Sequence, residues 1–131
     1  MKLTLLMVLS GLLNACATIE QPHYLYNEIR VENNSRQILK GLSIQVPATG
    51  AEFSCGNIAP LGLCANQFGA RPYRHNPIVI EWSYGNRQRQ TNEFVVPVPT
   101  NYAIEIPLQG VVEVSRNGEM QVYFLQDATY N

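Results

Sequence analysis

The side chains able to do chemistry are few, and most of them fall in one stretch. Between Ser54 and Asn76 lie two cysteines, Cys55 and Cys64, and the run Arg71-Pro72-Tyr73-Arg74-His75. Arg71, Tyr73, Arg74 and His75 form the candidate binding loop. Arginine offers a rigid donor fork suited to anions, and tyrosine offers large contact area with a polar tip. Catalysis asks for more than this. The chain has two His and one Asp. Its glutamates Glu28, Glu32, Glu52, Glu81, Glu93, Glu105, Glu113 and Glu119 stand singly, several alternating with apolar residues as solvent-face charges do. No G-x-S-x-G, H-E-x-x-H or phosphate loop occurs. A thiol nucleophile needs a base, and His75 is the one candidate. The expectation is a non-enzymatic protein, with no catalytic, cofactor-binding or metal residues assigned.

The elements that must position these groups are bounded by composition. The chain has 131 residues, a length that suits one domain. Hydrophobic residues make up 46% and charged residues 15%, the latter below the ~25% of average soluble domains. That balance argues against intrinsic disorder. A formal net charge of −1 gives no bulk attraction to nucleic acid, so no nucleic-acid partner is expected.

The N-terminus reads as an address. Met1-Lys2 supplies one positive charge, and Leu3 to Leu13 is an uncharged apolar run. It is too short for a membrane-spanning helix of ~20 residues but fits the ~7–15-residue core of a secretory signal. Leu13-Asn14-Ala15-Cys16 follows. This segment resembles the lipobox of bacterial lipoproteins. The resemblance implies cleavage before Cys16, a diacylglycerol on its thiol and an acyl group on the new amine. It divides the chain into a signal peptide (1–15), a lipidated tether (16–23) and a domain (24–131). Acyl chains contribute ~0.8 kcal/mol per buried CH₂, so the membrane anchor would be stable. Ala17, where an Asp resembles an inner-membrane retention signal, implies the outer membrane, on its periplasmic side or at the surface.

Export places the remaining cysteines in an oxidising compartment. With Cys16 consumed by lipid, Cys55 and Cys64 are an even pair and read as a disulfide. Such a bridge contributes roughly 2–3 kcal/mol by restricting the unfolded chain. The C-x₈-C spacing matches neither zinc ligation nor a C-x-x-C redox pair.

Apolar residues recur with period 2 and never with sustained helical spacing. Strands are expected at Tyr24–Val31, Ile38–Val46, Ile78–Tyr84, Arg87–Val96, Asn101–Ile106, Val111–Ser115 and Glu119–Leu125. Ile38, Leu42, Ile44 and Val46 share one face in this reading, and Trp82 is a core residue. Gly85-Asn86 and Asn117-Gly118 mark hairpin turns. Ser54 to Asn76 reads as one long loop. The pattern predicts an all-β fold, an antiparallel, immunoglobulin-like β-sandwich of about seven strands, with a small β-barrel as the alternative.

A tethered sandwich poor in catalytic groups points to a binding or structural module of the cell envelope with a protein or envelope partner. A second expectation comes from Gly69-Ala70-Arg71 with Tyr73. These residues resemble a motif of the small β-barrel, membrane-bound lysozyme inhibitors. That resemblance implies polar residues reaching into the acidic cleft of a cell-wall hydrolase.

Overall fold

The structure is a computed structural model, and it describes residues 22–127. The expected signal peptide, the lipidation residue Cys16 and most of the tether lie outside the described residues. Within them the chain forms eight strands: β1 (Leu25–Asn33), β2 (Leu39–Val46), β3 (Ala51–Ile58), β4 (Leu63–Pro72), β5 (Val79–Tyr84), β6 (Arg87–Gln90), β7 (Leu108–Val114) and β8 (Met120–Gln126).

They make two four-stranded sheets, ordered β4-β1-β7-β8 and β3-β2-β5-β6. The sheets pack face to face as a β-sandwich and do not close into a barrel. Five of the six strand pairs are antiparallel, and β1 with β7 is the parallel one. Val31, Val112 and Val114 from one sheet meet Leu39, Leu42, Ile44, Ile58, Ile80 and Trp82 from the other in the main core. A smaller cluster forms around Val96, Leu108 and Phe124.

Four differences from the sequence reading have physical causes. First, β3 and β4 occupy most of the segment read as a loop, leaving residues 59–62 and Tyr73 to Asn76 outside a strand. Both are sheet edges. The half-buried positions of β4 are Cys64, Asn66 and Phe68, so its alternation is only partly apolar.

Second, Ile38 is 46% exposed while Leu39 is fully buried. Gly41 adopts a left-handed φ of 58°, and the β2 register shifts between Leu39 and Leu42. A bulge there adds one residue and lets Leu39 and Leu42, three apart, both face inward. Ile38 therefore leaves the face on which Leu42, Ile44 and Val46 lie.

Third, Asn101 to Ile106 is turn and not strand. Tyr102 N–H donates to the Pro99 carbonyl at 3.1 Å and Ile106 N–H to the Ala103 carbonyl at 3.3 Å. Pro99 and Pro107 bracket the segment, and neither can donate to a ladder. The return strand after Gly85-Asn86 is likewise cut to β6, with Phe94 rejoining Ile78 by an isolated bridge.

Fourth, Glu28 is 5% exposed and is not a solvent-face charge. It lies 3.4 Å from the Arg30 guanidinium and accepts from Gln67 Nε2 at 3.5 Å.

One end of the sandwich is closed by Asn33, which is fully buried. Its Nδ2 donates to the carbonyls of Gln37, Ile58 and Ala59 at 2.8, 3.0 and 3.1 Å. Its Oδ1 accepts from the Ser35 hydroxyl at 2.6 Å. This one side chain ties β1, the β1–β2 connection and the β3–β4 turn together.

Candidate functional site

Cys55 on β3 and Cys64 on β4 are joined by a disulfide, with Cα atoms 5.9 Å apart. Because β3 and β4 belong to different sheets, the bridge staples the two layers along one edge. Farther along that edge Phe53 of β3 stacks on Phe68 of β4, with ring centroids 5.7 Å apart. Tyr26 of β1 meets Phe68 edge-on at 5.4 Å.

Past this aromatic tie the sheets enclose an apolar cavity of about 300 Å³. Its lining comes from six strands, β1, β2, β3, β4, β7 and β8. Ile29 of β1, Ile44 and Val46 of β2, Phe53 of β3, Val112 of β7 and Phe124 of β8 all line it. The exposed members of its lining are Thr49, Arg71, Pro72 and Arg74, so the mouth lies there.

The chemistry-bearing run found in the sequence is therefore gathered at a cavity mouth. Arg71 closes the end of β4, where it pairs with Tyr26 of β1. Its guanidinium sits 4.7 Å from the centre of the Phe68 ring, a cation–π contact that holds the charge beside the opening. Arg74 also lines the opening. Among the described residues the ion pairs run from Arg30 to Glu28 and Glu32, and neither Arg71 nor Arg74 has a carboxylate at that distance.

Tyr73 turns inward instead. Its N–H donates to the Tyr24 carbonyl at 2.7 Å, and its phenol donates to the Val96 carbonyl. Its ring meets Phe124 edge-on at 4.8 Å. Burial pushes the phenol pKa up to about 12, so Tyr73 is a neutral wall residue at ordinary pH. His75 is exposed and lies against Tyr73, with ring centroids 4.7 Å apart, but it does not line the cavity.

One wall residue was missed in the sequence because it has no side chain. Gly110 lies on the inner face of β7, two positions from Leu108 and from Val112, which are both buried. Its backbone does not adopt a positive φ, and a Cβ there would meet Glu28 O, Ile29 Cγ1 and Phe124 Cε1 at 3.6–3.7 Å, ordinary contact distances. Neither conformation nor crowding requires glycine. What the glycine does is leave room in the cavity it lines. The available clue was the inward alternation Leu108, Gly110, Val112, Val114, with one bulky position left empty.

Neither a protein-family model nor a curated protein matches this chain. Among solved structures, the chain is similar to a protein from Eubacterium rectale determined by NMR. The TM-score is 0.48 and the identity 13%, over 84% of this chain and 97% of that one.

Proposed function

We propose that this protein is a lipid-anchored lipoprotein of the bacterial cell envelope, held in the outer membrane through Cys16, whose β-sandwich is a non-enzymatic binding module. The observation that carries the reading is the convergence of Arg71 and Arg74 on the mouth of an apolar cavity between the sheets, with Tyr73 in its wall. An apolar pocket with a few placed polar groups is the usual form of a ligand site. Among the described residues its lining includes no carboxylate, thiol or imidazole, which favours binding over catalysis.

The anchor and the module are consistent in geometry. Tyr24, at the start of the folded domain, is hydrogen-bonded to Tyr73 at the cavity end of the sandwich. The described chain therefore begins beside the cavity end, where a tether from Cys16 would join it.

Two measurements test the reading. Mass spectrometry of protein recovered from envelopes should show an acylated Cys16 at the N-terminus, and Cys16→Ser should release the protein from the membrane fraction. Protein purified from detergent-solubilised envelopes should retain a bound envelope component that Arg71→Gln with Arg74→Gln weakens. An unmodified Cys16, or a chain that retains nothing, would sink it. Slowing of lysozyme by the purified protein at micromolar concentration would favour the hydrolase-inhibitor reading instead. In this fold Gly69 to Arg71 lie on β4, so inhibition would have to use a strand end and not a protruding loop.

A further inference from the structure

The cavity also specifies what kind of ligand it can take. Resting on the binding-module reading above, we infer that the inter-sheet cavity holds the chain of a single-chain amphiphile with an anionic, fatty-acid-type head, with Arg71 and Arg74 receiving the head at the mouth. Two features of the cavity carry this, and its placement relative to the proposed anchor adds a third. The interior is built from Ile29, Ile44, Val46, Phe53, Val112 and Phe124, with no buried charged side chain among the described lining residues, so it accepts an apolar chain and rejects a polar one.

Arg71 and Arg74 line the mouth, and neither has a protein carboxylate within ion-pair distance among the described residues. Arg71 is held in place by Phe68. A carboxylate lying between such donors gains charge-assisted hydrogen bonds of the kind arginine makes best. The volume of about 300 Å³ is at the low end of the ~300–1,000 Å³ range of ligand pockets. That suits one alkyl chain and not the two chains of a phospholipid.

The third feature is placement. Tyr26 is paired with Arg71 and Leu25 with Pro72, so the N-terminal end of the domain lies at the mouth. From Cys16 to Leu25, the first residue paired at the mouth, is nine residues, a reach of at most about 30 Å even when fully extended. An acylated Cys16 would hold the opening within that distance of a bilayer, where single-chain amphiphiles reside. Gly110 completes the picture, because it lines the cavity and a bulky side chain there would occupy the space the ligand needs.

The test uses the full chain carrying Cys16→Ser, freed of bound lipid, titrated by calorimetry with dodecanoate below its micelle concentration. One-to-one binding is expected, weaker for shorter homologues by about fourfold per methylene removed. Dodecyltrimethylammonium, with the same tail and the opposite charge, should bind at least about tenfold more weakly. Arg71→Gln with Arg74→Gln should reduce dodecanoate affinity by about tenfold while leaving dodecanol unaffected.

Gly110→Leu should abolish binding. Should that variant fold poorly, Gly110→Ala keeps the test open, since its single methyl fits at contact distance and should weaken the longest chains most. Equal binding of the cationic and anionic amphiphiles, or dodecanoate affinity unchanged in both Gly110 variants, would overturn the inference. The anchor is read separately, by the mass of Cys16 in the wild-type protein, so either idea can fail without the other.

Discussion

The Tyr73 phenol donates its hydrogen to the Val96 carbonyl, fastening the turn after β4 to the segment between β6 and β7. That bond exists only while the phenol keeps its proton. The pKa of Tyr73 is pushed up to about 12 by burial, from an ordinary value of 10.0. Tyr123 is raised to about 12 as well, by desolvation first and then by its hydrogen bond to Glu113 and that residue's charge.

Stability should therefore fall steeply in alkali. Below pH 10 both tyrosines are protonated in the folded and unfolded chains, and their full contribution is present. Between pH 10 and 12 the unfolded chain loses the two protons while the folded chain keeps them, so the folded state binds more protons and stability drops as pH rises. Tyr73→Phe should make that decline shallower while costing about 1 kcal/mol at neutral pH for the lost hydrogen bond. Urea unfolding followed by Trp82 fluorescence across this range checks it. An identical alkaline slope in wild type and Tyr73→Phe would contradict the assignment.

The staple between the sheets gives the second expectation. Cys55 and Cys64 enclose a short loop, with a sequence separation of 9. Removing the bridge by Cys55→Ser with Cys64→Ser should lower unfolding free energy by roughly 2–3 kcal/mol. It should also loosen the edge at which Phe53 stacks on Phe68, so amide exchange should quicken in β3 and β4 before it does in β1 and β7. Uniform exchange across all eight strands would mean that the bridge does not locally hold the two sheets together.

The cysteine pair, the Asn117-Gly118 hairpin and the buried Trp82 were legible in the sequence because each signal is local. A turn needs two residues, and a core strand shows its alternation within six. The edge strand β4 was not legible, because Asn66 stands among its half-buried positions and breaks the apolar rhythm. Leu39 was masked for a different reason: the bulge at Gly41 changes the parity of β2, and no periodicity argument anticipates an inserted residue. For the site, Arg71, Tyr73 and Arg74 were visible as a dense run of recognition residues. The cavity behind them was invisible, since Ile29, Ile44, Phe53, Val112 and Phe124 meet only once the two sheets are stacked.

Asn33 gives the third expectation. Its amide serves three carbonyls and its oxygen serves Ser35, all at the closed end of the sandwich. Asn33→Ala leaves these buried groups without partners and creates a small void. The cost should be about 2–4 kcal/mol, towards the upper range for single substitutions. Ligand binding at the far end should survive in whatever fraction stays folded. Denaturant unfolding combined with the dodecanoate titration separates the two effects, and a loss below 0.5 kcal/mol, on the order of an exposed-site change, would show that solvent replaces Asn33 at no cost.

The last expectation sets two glycines against each other. Gly118 closes the β7–β8 hairpin with a φ of +85°, and a Cβ there would meet the Tyr84 ring at 3.0 Å. Gly118→Ala must carry a methyl in a left-handed conformation and push an aromatic ring aside, so it should destabilise by more than about 1 kcal/mol. Gly110 has neither constraint: its φ is not positive, and its nearest neighbours stand at ordinary contact distance. Gly110→Ala should instead stabilise by about 0.4–1 kcal/mol, because alanine has less conformational freedom to lose on folding. A core glycine that can be improved in this way is what the trade between stability and function produces at a ligand site. Thermal melts of the two variants side by side decide the matter. If Gly110→Ala destabilises as Gly118→Ala does, the glycine serves packing in β7, and the space it leaves is not reserved for a ligand.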